Sequence, residues 1–508
     1  MKRHGFCAFT GIDRTSFAPE THECPGETRR NRKKTKENRT DKDKAAKEEG
    51  NHRMGLKTET DEQKREARYK QMTEAPLYPL LLRTAVPSMM GMLVSTVYSM
   101  TDTYFVGKLG HASLTAAVGI VYTFISVIQA VGFWFGYGSG NYISRMLGKR
   151  DLQKAEKMAA TGVLLALLTG AVILAAGLAF VKPLAVLLGA DTSPETLSAT
   201  IGYLRITVVS VPFMLLSNVL YNELRLAGSG RDSMYGLLVG MVLNMILDPV
   251  FILGLHMDVE GAAFASMIGQ IAGALFLFRS SMKDGNVHVH LRKARMDAFH
   301  IKQILKGGAP NFCRQGISSI SSVLLNHAAG LYGDMAVAAV TIAVRVAYIG
   351  YALVIGFGQG FQPVCALNYG AGNYARIRRG FFMTLGTVTA FLLVICPLLY
   401  FPADELVMHF TRETDVAMLA KRLLRAQLLI MPFMGYYVII GMLLQNIGRF
   451  GRATLVTISE NGLFLIPAVL LLPRIFGLDG LIFCKPTASL LALLLSLAVG
   501  IRAWKKYL

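Results

Sequence analysis

Apolar runs long enough to cross a lipid bilayer recur along residues 79–503 of this chain. A transmembrane helix needs about 20 consecutive, mostly apolar residues. The runs therefore predict an all-α polytopic membrane protein with twelve transmembrane helices. The predicted spans are 79–105, 113–137, 158–181, 197–222, 233–254, 260–281, 303–330, 336–358, 380–401, 416–445, 453–473 and 478–502.

The loops between these spans alternate in charge. One set is rich in Lys and Arg, for example RMLGKRDLQKAEK and NYARIRR, and the opposite set is mostly acidic, for example GADTSPET and FGLDG. Because cytoplasmic loops carry an excess of Lys and Arg, we expect the basic loops and both termini in the cytoplasm, and the protein in the plasma or inner membrane. The same rule accounts for the formal net charge of +20, so nucleic acid is not an expected partner.

Residues 1–72 differ in composition from the rest of the chain. They are charged, mixed in sign and nearly free of large apolar side chains, so they cannot bury enough surface to offset the entropy of ordering. We predict a disordered, charged cytoplasmic tail here, with a short fraying helix around residues 61–71. Met1, Met54 and Met72 all remain candidate starts of the natural chain.

The two halves of the membrane region repeat. Four segments match in order at nearly one offset, 222 residues for the first three and 220 for the last: LTAAVGI (114–120) with AVAAVTI (336–342), FGYG (135–138) with FGQG (357–360), Gly148 with Gly370, and LRITVVSVPFM (204–214) with LRAQLLIMPFM (424–434). A unit of six spans returns the chain to its starting side, so the two units are parallel and related by an axis along the membrane normal.

This repeat divides the chain into two six-helix bundles. We predict an N-lobe at 73–282, a cytoplasmic inter-lobe loop at 283–300 and a C-lobe at 301–508. Two similar bundles predict a central cleft and alternating access by rocking of the lobes. None of the motifs DDxxD, HExxH or HxxxH occurs, and the six cysteines show no spacing for disulfides or zinc. We therefore expect neither an enzyme nor a bound cofactor.

Several segments resemble signatures of the multidrug and toxic compound extrusion (MATE) transporters. They are PSMMGMLVSTVYSMTDTYFVGKLG, ISRMLGKRD, NMILDPVFILG and GFGQGFQPVCALNYGAGN, and the similarity covers about residues 73–505. It implies a monomeric secondary antiporter in the lipid bilayer that exports small amphipathic, often cationic, drugs or toxic compounds in exchange for H⁺ or Na⁺. The alternative is a flippase for lipid-linked precursors or polysaccharides from the same superfamily.

Two carboxylates of the N-lobe lie within predicted spans. Ionisable groups inside a membrane are costly and are functional hypotheses by default. Asp102 lies 15 residues after Pro87 in the first span, and Asp248 lies in the outer half of the fifth, with Asn244 one helical turn earlier on the same face. Two carboxylates in one low-dielectric pocket share a proton or hold a cation such as Na⁺ between them. The alternative is that both acids are structural and bonded to helix ends.

The resemblance adds three residues to this site. The two acids and the amide match the pattern of a proton or sodium site in the first lobe of the family. Ser266 stands where a Thr is usual, and its hydroxyl can still bond or ligate an ion. Tyr98 and Tyr203 match family positions near the site, although Tyr is also a routine interfacial residue.

The C-lobe carries charges where the resemblance predicts other residues. Glu460 stands where a basic residue is common, and Lys485 where Gln is common. At about 1.5 Å per residue, each lies roughly 10 Å from an opposite face of the membrane, so we expect no pair between them. Arg314 lies near the depth of Glu460 and is the predicted partner. That pair is structural, or else Glu460 attracts a cationic drug or titrates as a second proton site.

Overall fold

The structure is a computed structural model of the chain. It describes residues 60–107, 112–191, 193–255, 257–411 and 413–507, except for the side chains at 95–107, 112, 253, 506 and 507. In these ranges nearly every residue is helical and none forms a β-strand, so the predicted all-α fold is confirmed.

Sixteen α-helices follow one another along the described chain. Their bounds are α1 (60–74), α2 (Leu77–Gly107), α3 (Ala112–Gly148), α4 (Leu152–Ala179), α5 (Val181–Leu187), α6 (Pro194–Leu226), α7 (Gly230–Pro249), α8 (Asp258–Ser281), α9 (Ala298–Gly330), α10 (Asp334–Gly370), α11 (Tyr374–Tyr400), α12 (Ala403–Met408), α13 (Thr414–Ile430), α14 (Met434–Asn446), α15 (Phe450–Ile458) and α16 (Leu465–Tyr507). Two π-helical segments, Val250–Gly254 and Ser459–Phe464, follow α7 and α15, and short 3₁₀ segments occur at Leu291–Lys293 and Met431–Phe433.

Ten stretches of the described chain are long and apolar enough to cross a membrane. One of them, Phe450–Lys505, contains two helices that join at Gly477, where φ is 60°. Helix α9 is long enough to span as well, but it carries Lys306 and Arg314 and is less apolar. With these two additions the structure is consistent with the twelve predicted spans.

Side-chain caps begin several of these helices. The Asp151 carboxylate accepts from the Lys154 backbone N–H at 3.0 Å and starts α4, and Asp297 caps α9 in the same way through His300 N–H at 2.9 Å. Such caps satisfy backbone N–H groups that have no partner within the helix. They fix the loops at the end of the bundle that carries most Lys and Arg, which we call the basic end. The opposite end, at loops 188–193, 255–257 and 401–413, is the acidic end.

Each lobe has its own apolar core, and the first helix of each lobe starts in contact with the core of the other lobe. Leu81 and Ala85, near the start of α2, are buried in the core of the C-lobe. Ile304, near the start of α9, is buried in the core of the N-lobe. At the basic end the first helix of each lobe therefore packs into the core of the other lobe. This reciprocal packing is expected for two lobes related by a two-fold axis.

Glycines matched by the repeat make close backbone contacts between the lobes. A Cβ on Gly148 would lie 2.0 Å from the Leu367 carbonyl oxygen, and a Cβ on Gly370 would lie 2.1 Å from the Arg145 carbonyl oxygen. Positions 145 and 367 are also 222 residues apart, so the contact is symmetric. Gly138 against Gly307 and Gly360 against Ala85 form a second symmetric pair of contacts. These backbones pack with no room for side chains, which seals the basic end.

Helix α1 contacts both lobes. Arg68 donates to Asn286 Oδ1 at 2.6 Å and to Ser229 Oγ at 2.6 Å in the N-lobe. In the C-lobe, Asn368 Nδ2 and Arg376 Nε donate to the Met72 carbonyl at 3.1 and 3.2 Å. The short helix expected at 61–71 is present and longer, and it packs against the membrane region. Residues 1–59 lie outside the described part, so the disordered tail stays a prediction.

Candidate functional site

A buried carboxylate of the N-lobe is held by an amide and a hydroxyl. Asp248 has no exposed surface, and Asn244, one turn earlier, is 2% exposed. In the amide orientation that satisfies both neighbours, Asn244 Nδ2 donates to Asp248 Oδ2 at 3.1 Å. Its Oδ1 then accepts from the Ser266 backbone N–H at 2.9 Å and from Ser266 Oγ at 3.0 Å. The structure therefore brings three of the predicted site residues together across α7 and α8.

The helix changes form directly after this carboxylate. Pro249 has no N–H to donate and ends α7, and residues Val250–Gly254 form a π-helix. Short π-helical segments inside α-helices are rare and are frequent at functional sites. The Asp-Pro pair that interrupts the apolar run of this span therefore lies at an irregular turn, beside the polar cluster in the interior of the lobe.

Asp102 lies at the depth of Asp248. Helices α2 and α7 both start at the basic end, and they touch where a Cβ on Gly91 would lie 3.5 Å from Leu237 Cδ1. Both acids follow that contact by 11 residues, or about 16 Å along each helix. The side chains of Asp102 and Tyr98 lie outside the described part.

Tyr203 is buried in the N-lobe core. It lies on α6 and is 3% exposed. Its backbone carbonyl accepts from Thr207 Oγ1 at 2.9 Å. Its described contacts therefore support a packing role.

Glu460 pairs with Lys485, so the expected absence of this pair was wrong. Lys485 Nζ lies 3.1 Å from Glu460 Oε1 and donates to Asn461 Oδ1 at 2.7 Å. Ser489, one turn after Lys485, also donates to Glu460 at 3.0 Å. A depth count along the backbone ignores the length of the Lys side chain, which spans about one helical turn. Glu460 lies in the π-helical segment Ser459–Phe464, and a second irregular turn therefore holds a buried acid.

Arg314, the predicted partner of Glu460, bonds to a phenol instead. Its Nη1 donates to Tyr351 Oη at 2.9 Å. Tyr137 of the N-lobe and Tyr348 of the C-lobe also lie in its neighbourhood. Among the described side chains Arg314 forms no ion pair. The guanidinium therefore lies between tyrosines of both lobes rather than inside the C-lobe.

A sequence model described as MatE matches residues 87–250 and 310–470. The two matched segments fall in the two lobes and together cover more than half of the chain.

This chain belongs to the MatE family. The Multidrug export protein MepA of Staphylococcus aureus (strain MSSA476) is 28% identical to it over 430 residues, which cover 84% of this chain and 94% of that one. A solved MOP superfamily transporter from Pyrococcus furiosus has a TM-score of 0.78 and 23% identity, and the match covers 86% of this chain and 98% of that one.

A second solved structure, described as the outward-facing conformation of a multidrug resistance MATE family transporter, has a TM-score of 0.78 and 23% identity over 85% of this chain and 97% of that one. These structures establish the fold of this MatE chain, and the predicted family is confirmed.

One interlobe residue of this MatE chain escaped the sequence analysis. Arg225, near the end of α6, is 2% exposed. It donates across the interface to the Gln359 carbonyl at 2.9 Å and to Gln362 Oε1 at 3.0 Å, and it packs over the ring of Tyr137 at 5.1 Å. A charge at the end of an apolar helix was the available signal, but it looked like an ordinary basic-loop residue. Arg225 adds directional bonds to the glycine contacts that seal the basic end.

Proposed function

We propose that this MatE chain is a secondary antiporter that exports small amphipathic compounds in exchange for H⁺ or Na⁺ by alternating access. The basic end faces the cytoplasm of the cell in which it is embedded, and a single chain carries out the cycle in the plasma or inner membrane. The similarity to a relative named a multidrug export protein supports export. The lobe contacts at the basic end support a state that is closed to the cytoplasm.

The observation that carries the proposal is the burial of Asp248 beside Asn244 and Ser266. A carboxylate without exposed surface is costly as an anion, so it gains a proton or a cation when its pocket opens to the side with the higher ion concentration. Amide and hydroxyl oxygens are suitable ligands for Na⁺. The amide and hydroxyl groups can also accept a hydrogen bond from a protonated carboxyl group or donate one to it. Asp102, at the same depth on α2, is the second acid of this site.

Ion binding at this site couples to the lobes through its helices. Helix α7 packs against α2, and α2 begins in the core of the C-lobe. A change in the charge of the site alters the packing of α7 on α2, and α2 transmits it to the interlobe contacts at Ala85 and Gly360. In this mechanism the ion enters at the acidic end, the basic end opens, and the ion leaves to the cytoplasm.

The test is Asp248→Asn, which removes the titrating group and keeps its size. We expect loss of efflux driven by a pH or Na⁺ gradient in inverted vesicles, with normal expression and membrane insertion. Each gradient is imposed separately, which identifies the ion. Asp191→Asn, at an exposed position of the acidic end, is the matched control. Wild-type efflux rates in Asp248→Asn would refute the assignment, as would an equal loss in the control.

A further inference from the structure

The interlobe cleft holds a guanidinium at mid-membrane depth. Arg314 is residue 17 of the 33 residues of α9, so it lies about 24 Å from either end of that helix. A charge at this depth is expensive and normally pairs with an opposite charge. Here the described side chains supply only the Tyr351 hydroxyl, a neutral acceptor. Of the five guanidinium N–H groups, one is used in that bond.

The buried carboxylate of the C-lobe already has a cationic partner. Glu460, the buried acid of the same lobe, forms its ion pair with Lys485 and accepts from Ser489. Asp248 has no exposed surface and lies inside the N-lobe. The described acids therefore leave the positive charge of Arg314 uncompensated in the cleft.

Aromatic rings surround this charge on both sides of the cleft. The rings of Tyr348 and Tyr351 lie 5.9 Å apart, and Tyr122 of the N-lobe lies in the neighbourhood of Tyr348. Tyr348 is 49% exposed and Tyr122 is 58% exposed, whereas Tyr137 is 4% exposed. The tyrosines thus extend from exposed positions to the half-buried guanidinium. Flat aromatic compounds pack well against such rings.

A second arginine extends the positive charge toward the acidic end. Arg345 is three residues before Tyr348 on α10, so both side chains lie on one face of the helix. Its side chain is exposed and forms no ion pair among the described residues. A substrate that enters from the open side therefore meets one positive charge before it reaches the other.

We propose that Arg314 binds an anionic group, such as a carboxylate, on an aromatic amphipathic substrate. The planar guanidinium suits two parallel hydrogen bonds to a carboxylate, and the tyrosines of the two lobes hold the aromatic part. This assignment rests on the proposed export function and narrows it. Cationic compounds, which the family resemblance implies, meet a like charge at this position, while zwitterions and anions gain an ion pair.

The test is equilibrium binding to the purified chain in detergent, without any ion gradient. The probes are pyrenes that carry a butanoate, a butanol or a butylammonium tail, followed by fluorescence polarisation. We expect the butanoate to bind about tenfold more tightly than the butanol, a modest value for a charge-assisted pair, and the ammonium to bind most weakly. In Arg314→Gln the butanoate should fall to the affinity of the butanol, while Arg314→Lys should keep part of the preference.

Two controls separate this proposal from general electrostatics and from the export mechanism. Arg474→Gln removes an exposed charge near the acidic end of the same lobe and should leave all three affinities unchanged. Asp248→Asn should abolish gradient-driven efflux and keep the preference for butanoate.

Equal affinities of butanoate and butanol in the wild type would overturn the substrate assignment, and so would a preference that survives in Arg314→Gln. If instead the preference holds but Asp248→Asn still exports at the wild-type rate, the coupling mechanism fails and the anion site stands.

Discussion

Replacing Gly148 by Ala should open the basic end of the protein. The added Cβ would lie 2.0 Å from the Leu367 carbonyl oxygen and 2.9 Å from the Gly370 Cα. An ordinary contact is 3.4–4 Å, so one backbone must move by more than 1 Å, and overpacking of this kind costs about 1–3 kcal/mol. The cost falls only on the state in which the lobes touch. The open population should therefore rise about 5- to 150-fold, at tenfold per 1.4 kcal/mol.

The native thiol of Cys365 reports this opening. It is fully buried on α10 and lies in the neighbourhood of Arg145 in the other lobe. In a chain whose other five cysteines are Ala, the rate of N-ethylmaleimide labelling of Cys365 follows the open population, provided that opening is rare and faster than labelling. The Gly148→Ala chain should label 5- to 150-fold faster than its parent.

The internal repeat supplies both a second test and a control. Gly370→Ala makes the symmetric clash with the Arg145 carbonyl and should accelerate labelling to a similar extent. Gly386→Ala, on α11, adds a Cβ with nothing within 4 Å and should leave the rate unchanged. Unchanged labelling in both interface variants would show that the lobes are not closed through these glycines, and acceleration in all three would indicate general destabilisation.

Two further predictions concern stability, measured as the unfolding temperature in detergent. Lys485→Met should destabilise the chain by roughly 3 kcal/mol because it leaves Glu460 buried without its partner, and the added change Glu460→Gln should restore part of the loss. If the losses of the two single variants simply add up in the double variant, Glu460 and Lys485 do not stabilise each other. A chain that starts at Met72 should unfold at a lower temperature than one that starts at Met54, since only the longer chain keeps the bonds of Arg68, and equal temperatures would show that α1 contributes nothing.

The sequence predicts those features of the structure that depend on a single helix or on the internal repeat. Apolar run length determined the spans, because lipid imposes a minimum length on every helix. Helical periodicity placed Asn244 beside Asp248, since residues four apart share a face. Ser266 came from the resemblance, because contacts between two helices depend on how the helices dock.

The errors in the sequence analysis have one physical origin. The pairing of Glu460 was wrong because depth was counted along the backbone, whereas the Lys485 side chain reaches a turn away. Arg225 was missed because its partners, Gln359 and Gln362, lie in the other lobe, and the sequence does not specify how the lobes meet. Both cases concern long side chains whose charge lies far from the Cα position.

The repeat also shows where the two lobes have diverged. Spans 5 and 11 are related by the repeat, and each contains a π-helical segment with a buried acid in or beside it. In the N-lobe the neighbours of Asp248 include the Asn244 amide and the Ser266 hydroxyl. In the C-lobe Lys485 supplies a tethered cation to Glu460. A permanent partner of this kind removes the need for a free ion, so the proposed coupling belongs to the N-lobe. The C-lobe, whose Arg314 faces the cleft without an acid, is then the lobe that contributes charge to the substrate site.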